Sequence, residues 1–297
     1  MITGRIMGGL GNQLFQIFMI ISLSIDSEIP FFFPDTEQLC SKRHTYWNSF
    51  LSRLKIFLQK QKFIESQLSK IINEEGFEYK KYDIELVKIE NILFYGYFQS
   101  YKYFEKNYRT IYDLIDIDKY KNELINKISQ VNVLKNSTEL MRRDNEITIY
   151  DKTISMHFRI GDYKNIQNCH PLMTLKYYSN SLKYLCESGI DLREYKILYF
   201  CENNLSDIRD AISIINNLQL EYPYLDFFRQ TELEDYEEMI LMSLCKHNII
   251  ANSTFSWWGA YFNNNEDKIV IYPSVWFGPQ LSYLNIKDLH PPSWIKI

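Results

Sequence analysis

The chain has little cysteine: five in 297 residues, scattered at Cys40, Cys169, Cys186, Cys201 and Cys245, with no C-x-x-C pair. An odd, dispersed set argues against a disulfide framework or a zinc site and suits free thiols in a reducing compartment. A surplus of positive charge is missing too. The formal net charge is −4 at pH 7, so a broad nucleic-acid surface is not indicated, although a local basic pocket for phosphate is still allowed. Long apolar runs are also absent. The most apolar stretch, Leu14 to Ile25, is interrupted by Gln16, Ser22 and Ser24, lacks a small-x-small cleavage site and is too short to span a bilayer. It reads as a buried helix, with a cytoplasmic location as the default and peripheral membrane contact left open. No short-period repeat or low-complexity segment occurs.

What is present is a globular balance, 46% hydrophobic with 24% charged residues, enough for a sizeable core in one large domain or two ordinary ones. Aromatic residues reach 16%. Such rings stack on sugars or bases, but most are expected in the core or at its rim.

The organising stretch is Met156-His157-Phe158-Arg159-Ile160-Gly161-Asp162-Tyr163. The β-branched run Thr153-Ile154-Ser155 leads into it as a strand, and Gly161 breaks that strand. His157 and Arg159 therefore sit at a strand's carboxyl end, where ligands bind in an open α/β sheet. Arg159 is a permanently charged planar fork suited to phosphate oxygens. Alone, the octet reads more plainly as a surface ion pair and a satisfied core histidine.

Earlier in the chain, Ile2 to Met7 is a short strand running through Gly8-Gly9-Leu10-Gly11-Asn12-Gln13 into the helix Leu14 to Ser27. Strand, glycine turn and helix let backbone N–H groups approach an anion. The dinucleotide fingerprint fails because Leu14 occupies its third glycine position. Asn12 and Gln13 stand where their amides could reach a ligand, or the turn simply serves packing. A second strand is expected at Ile29 to Phe33, followed from Trp47 to Ile89 by a helical pattern with Phe50, Leu51, Leu54, Phe57 and Leu58 inward. Ile92 to Tyr95 is strand-like and meets Gly96-Tyr97-Phe98-Gln99-Ser100, which would line a sugar pocket or pack as a plain loop. Asp116-Ile117-Asp118 is a weak candidate for a divalent cation. Tyr120 to Met141 reads as one or two polar helices, and Arg142-Arg143-Asp144-Asn145-Glu146 as the linker between domains 1–145 and 146–297.

Beyond the octet, strand and helix alternate: helix Leu172 to Glu187, strand Lys196 to Cys201 ending in Glu202-Asn203-Asn204, helix Ser206 to Leu218 with Ser206 and Asp207 in positions that favour a helix start, helix Asp235 to Lys246, strand Asn248 to Ala251, and strand Lys268 to Tyr272 before an irregular tail from Pro273. This pattern predicts a doubly wound parallel α/β sheet. The segment Asn252-Ser253-Thr254-Phe255-Ser256 opens a helix, offering hydroxyls and N–H groups to an anion, with helix capping as the simpler role. Three polar strand ends, at Arg159, Glu202 and Ser253, in one sheet make a diphosphate clamp the better explanation.

Gly8 to Gln16, Gly96 to Ser100, His157 to Tyr163 and Asn252 to Ala260, in this order and spacing, resemble the motifs of the inverting α-1,2-fucosyltransferases of glycosyltransferase family 11, the bacterial type in particular. The resemblance implies a GT-B architecture, two Rossmann-like domains with a cleft between them: an acceptor-side domain over 1–145 and a GDP-fucose-binding domain over 146–297. It implies metal-independent transfer of fucose from GDP-fucose to the 2-hydroxyl of a terminal β-galactoside, an oligosaccharide or a lipid-linked glycan, in O-antigen or capsule synthesis. No cofactor or metal is expected. Arg159 matches the family's essential arginine at the donor's β-phosphate, and His157 a residue near the nucleotide. Gly11 and Asn12 match the glycine loop near the pyrophosphate, Glu238 a position where relatives carry Asp, and Asn252 to Ser256 the donor-side junction. Tyr97 and Gln99 fall on the acceptor side. Ile160 replaces the second arginine of the usual His-x-Arg-Arg-Gly-Asp, leaving open how the second charge is neutralised. No carboxylate is marked as general base; Asp162 and Glu202 are candidates, and Asp162 equally suits a brace for its turn. The competing readings are a fucosyltransferase acting on another acceptor, including a polypeptide, and a glycan-binding module without turnover.

Overall fold

A computed structural model describes residues 1–39, 43–134 and 150–297. Cys40, the linker Arg142–Glu146, the boundary after residue 145 and the strand residues Ile147 to Ile149 fall outside the described residues. Two compact units emerge, Met1–Lys119 with Tyr283–Pro291, and Tyr120–Ser282 with Pro292–Ile297.

The first unit holds β1 (Ile2–Gly4), α1 (Leu10–Ser27), β2 (Phe31–Pro34), β3 (Leu58–Gln59), α2 (Gln61–Gln67), β4 (Lys70–Asn73), α3 (Ile84–Ile89), β5 (Ile92–Tyr95) and α4 (Tyr108–Ile115). Its strands are parallel, in the order β3-β2-β1-β5-β4. Helix α1 buries Leu14, Phe15, Ile17, Phe18, Ile20 and Ile21 almost completely, as its apolar run predicts. Among the described residues no helix is long and apolar enough to cross a membrane. The helical pattern expected from Trp47 to Ile89 is corrected. Phe50, Leu51 and Leu54 are buried, but the helical parts are a 3-10 turn at Ser52–Phe57 and the short α2 and α3. Between them Lys70–Asn73 pairs along β5, where the β-branched Ile71 and Ile72 favour the extended form and tertiary pairing overrides local helix preference.

Helix α5 (Ile117–Leu134) crosses the division between the units. The second unit continues with β6 (Thr153–His157), α6 (Leu175–Glu187), β7 (Lys196–Phe200), α7 (Leu205–Glu221), β8 (Asp226–Phe228), α8 (Asp235–Leu244), β9 (His247–Ile249), α9 (Thr254–Tyr261), β10 (Val270–Tyr272) and β11 (Ile295–Lys296). The six strands are parallel and ordered β11-β10-β9-β6-β7-β8, the Rossmann order, with its reversal between β6 and β9. Strand β6 is buried along its whole length, as a central parallel strand covered on both faces must be. The core gathers Ile154, Met156, Ile197 and Ile249 from strands with Tyr178, Leu182, Leu185, Ile215 and Leu218 from helices. Two short strands were not legible in the pattern: β8, and β11 in a tail expected to be irregular. Each forms by lying along an existing edge, β8 beside β7 and β11 beside β10. The alternating α/β expectation is met by these two parallel sheets.

Candidate functional site

The register of the second sheet dictates what meets at its carboxyl edge. His157 pairs with Phe200, so Arg159 and Glu202, each two residues beyond, come level. Met156 pairs with Ile249, which brings the Asn252 turn to the other side of the same strand end. Arg159 Nη1 donates to Glu202 Oε1, and Nη2 donates to Asp162 Oδ1 at 2.5 Å. The Arg159 side chain keeps 19% of its surface. Burial would lower its pKa, but Tyr163, Asp162 and Glu202 hold it charged.

Gly161 permits this geometry. Its φ is +28°, and a Cβ there would lie 2.5 Å from Glu202 Oε1, so a side chain would expel the carboxylate. The Gly161 N–H donates to Asp207 Oδ2 at 2.9 Å. Asp207 is buried and also binds Lys164 at 2.7 Å and Asn204 Nδ2 at 2.7 Å. The sequence marks Asp207 only as a helix-start residue; the cap of α7 is Asn204, and Asp207 anchors the turn after β6. Burial raises its pKa, but Lys164, Asn204 and the Gly161 N–H more than offset this, so it falls below the usual value.

His157 is 7% exposed, and its Nδ1 is buried without a hydrogen-bond partner. Burial and then the Arg159 charge push its pKa down to about 3, so the imidazole is neutral. Its ring lies 5.8 Å from that of Phe255. Ile160, in the place of the second arginine, is a core residue at 6% exposure. Lys164 is occupied by Asp207 and Asp210.

In the Asn252–Ser256 segment, Asn252 is buried and its Nδ2 donates to the carbonyls of Pro171 at 3.0 Å and Trp276 at 3.1 Å. Ser253 caps α9, its Oγ accepting from the Phe255 N–H at 3.3 Å, and Ser256 is fully buried with its hydroxyl on the Ser253 carbonyl. Both hydroxyls thus serve the helix end here, while Thr254 and Phe255 keep surface. Trp257 and Trp258 are core. Glu238, in the first turn of α8, is half-buried; desolvation lifts its carboxyl to about 7 despite Arg229 nearby. Sequence reasoning missed Arg229, just past β8, whose Nη2 donates to the Cys201 carbonyl at 2.9 Å.

The first unit gathers its own predicted residues at the carboxyl ends of β1 and β5, which flank its strand-order reversal. Gly11 is buried in the opening turn of α1. Gln99 Nε2 donates to Asn12 Oδ1 at 3.0 Å, and Tyr97 is 40% exposed. Glu74, which no motif singled out, accepts from the Tyr97 N–H at 2.7 Å and the Phe98 N–H at 2.9 Å and so shapes that loop. Asp116 and Asp118 are taken up by Arg53 at 2.5 Å and by Arg109 at 3.2 Å. Among the described residues no group of three acidic, His or Cys side chains is placed to hold a metal.

The model of glycosyl transferase family 11 matches residues 1–297. The chain belongs to glycosyl transferase family 11. Over 174 residues it is 32% identical to the O-antigen biosynthesis glycosyltransferase WbnK of Escherichia coli, a match spanning 54% of this chain and 51% of WbnK. It is also 26% identical to an α-1,2-colitosyltransferase of Escherichia coli, over 100% of this chain and 98% of the relative. Among solved structures the POFUT1 apo form superposes with a TM-score of 0.47 at 10% identity, covering 91% of this chain and 97% of that one. As a family 11 member the protein is a glycosyltransferase.

Proposed function

We propose that this family 11 enzyme is an inverting α-1,2-fucosyltransferase that moves fucose from GDP-fucose to the 2-hydroxyl of a terminal β-galactoside, in the synthesis of a surface glycan. The observation that carries the reading is Arg159 at the strand-order reversal of the second sheet, level with the Asn252–Ser256 turn, in a chain whose whole length matches a glycosyltransferase family. As the fucose–phosphate bond breaks, negative charge grows on the departing GDP, and a guanidinium beside it stabilises the transition state more than the ground state. The diphosphate replaces Asp162 and Glu202 on the guanidinium's edge. With Ile160 in the second arginine's place, the remaining charge falls to the N–H groups opening α9. His157 and Glu238 are assigned to the nucleotide side, and Gly11 and Asn12 to the pyrophosphate. Tyr97 and Gln99 are assigned to the acceptor. Glu202 and Asp162, once released, are the candidate bases. No metal is required by this scheme.

A second reading is favoured by the full-length similarity to an α-1,2-colitosyltransferase: the same linkage made with a colitosyl donor. Incubating the protein with lactose and either GDP-fucose or the colitosyl donor, and following GDP release and the linkage of the product, tests both. A 2-linked fucosyl product supports the first reading. Turnover with the colitosyl donor alone supports the second, and release with neither donor overturns both.

A further inference from the structure

Arg159 is held in two different ways. Glu202 and Asp162 engage its edge through in-plane N–H donors. The third neighbour is Tyr163: the guanidinium carbon lies over its ring, 4.8 Å from the centre. That ring in turn stacks on His170, 4.9 Å away at 21°, and His170 lies 5.6 Å from Phe277. The Tyr163 hydroxyl donates to the Asn252 carbonyl at 3.2 Å, and Asn252 is itself pinned by Pro171 and Trp276.

We propose that Tyr163 is the positioning residue of the reaction, its ring face seating Arg159 and its hydroxyl tying that seat to the strand end of β9. The inference rests on the reading of Arg159 as the group that meets the leaving diphosphate. An incoming anion competes for the same in-plane donors that Glu202 and Asp162 use, so those contacts must yield when it binds. The attraction of the ring face acts on the cation as a whole and persists while the carboxylate partners are exchanged. The guanidinium thus changes partner without losing its place. The hydroxyl's bond to Asn252 keeps the turns after β6 and β9 in register, so the arginine and the opening of α9 address one ligand together. A tyrosine that merely filled space would contribute to stability but would show no coupling to Arg159.

The test uses the full chain labelled with 15N-arginine, the Arg159 side-chain signal being identified by its loss in Arg159→Lys. Tyr163→Leu is expected to speed rotation of the Arg159 guanidinium severalfold and to lower kcat by about tenfold, the scale of one face contact. Tyr163→Phe, which keeps the ring, recovers most of the loss. His170→Ala loosens the same signal and serves should Tyr163→Leu not fold. In the Arg159→Ala background, Tyr163→Leu costs nothing further. An unchanged Arg159 signal in both Tyr163→Leu and His170→Ala, or losses in kcat that multiply, overturns the proposal. Absence of turnover in the wild type with every nucleotide sugar tried would sink the functional reading, and the arginine signal would still decide whether Tyr163 seats Arg159.

Discussion

His157 offers a prediction whose size follows from its burial. It closes β6 at 7% exposure, and its pKa drops from 6.5 to about 3 because burial, and then Arg159, penalise the charged ring. The unfolded chain takes up a proton near pH 6.5, whereas the folded one does so only near 3. Between these values the unfolded state binds more protons, so stability falls as pH is lowered. From about pH 7.5 to about pH 5 the linkage relation assigns His157 a loss of about 2 kcal/mol. His157→Phe keeps an aromatic ring beside Phe255 and removes the proton site. The bond from the Tyr178 hydroxyl survives, because it ends on the His157 backbone carbonyl. Urea unfolding of both proteins at the two pH values should show the variant losing about 2 kcal/mol less. His247, pushed to about 4 by burial, contributes to both proteins alike and cancels. Equal losses in wild type and variant would refute the claim that the imidazole is held neutral.

Gly161→Ala places a methyl 2.5 to 2.9 Å from the Glu202 carboxylate on a backbone of positive φ; it should cost about 1–2 kcal/mol and lower the melting temperature by a few degrees. A wild-type melting curve would show that the close approach is dispensable. Asp207→Ala strands the Gly161 N–H and leaves Lys164 with Asp210 alone and should cost about 1–3 kcal/mol in urea unfolding; a loss within error of zero would remove its anchoring role. Glu238 has a carboxyl raised from 4.5 to about 7, so its contribution to stability is lost as pH rises through that interval. Glu238→Gln should therefore gain about 1 kcal/mol on wild type between about pH 5 and pH 8, after discounting for partial exposure. Parallel stability–pH curves would contradict the desolvation.

The second unit was largely legible because its β-branched and apolar strands alternate with helices at regular spacing. The polar ends after β6, β7 and β9 do lie side by side. The first unit was harder, since β3 and β4 are short edge strands whose residues carry helix-like spacing and extend only through pairing with β2 and β5. What the site's motifs concealed was their bracing. Asp207 reads as a helix-start acid, Tyr163 as the end of a motif, and Glu74 as one charge among many. Their roles depend on a buried N–H, a ring face and a tight turn that only tertiary structure brings near. The hydroxyls of Ser253 and Ser256 went the other way: a ligand-facing pattern by sequence, and helix-end hydrogen bonds in the fold.

The most direct test of the central claim is the turnover of Arg159→Ala with GDP-fucose and a β-galactoside, measured beside wild type and Arg159→Lys with melting curves for all three. Losing this donor to the departing diphosphate should lower kcat at least about a hundredfold while the fold is kept, with lysine a poor substitute because a point charge does not reproduce the fork. Near-wild-type turnover in a folded Arg159→Ala protein would contradict the account.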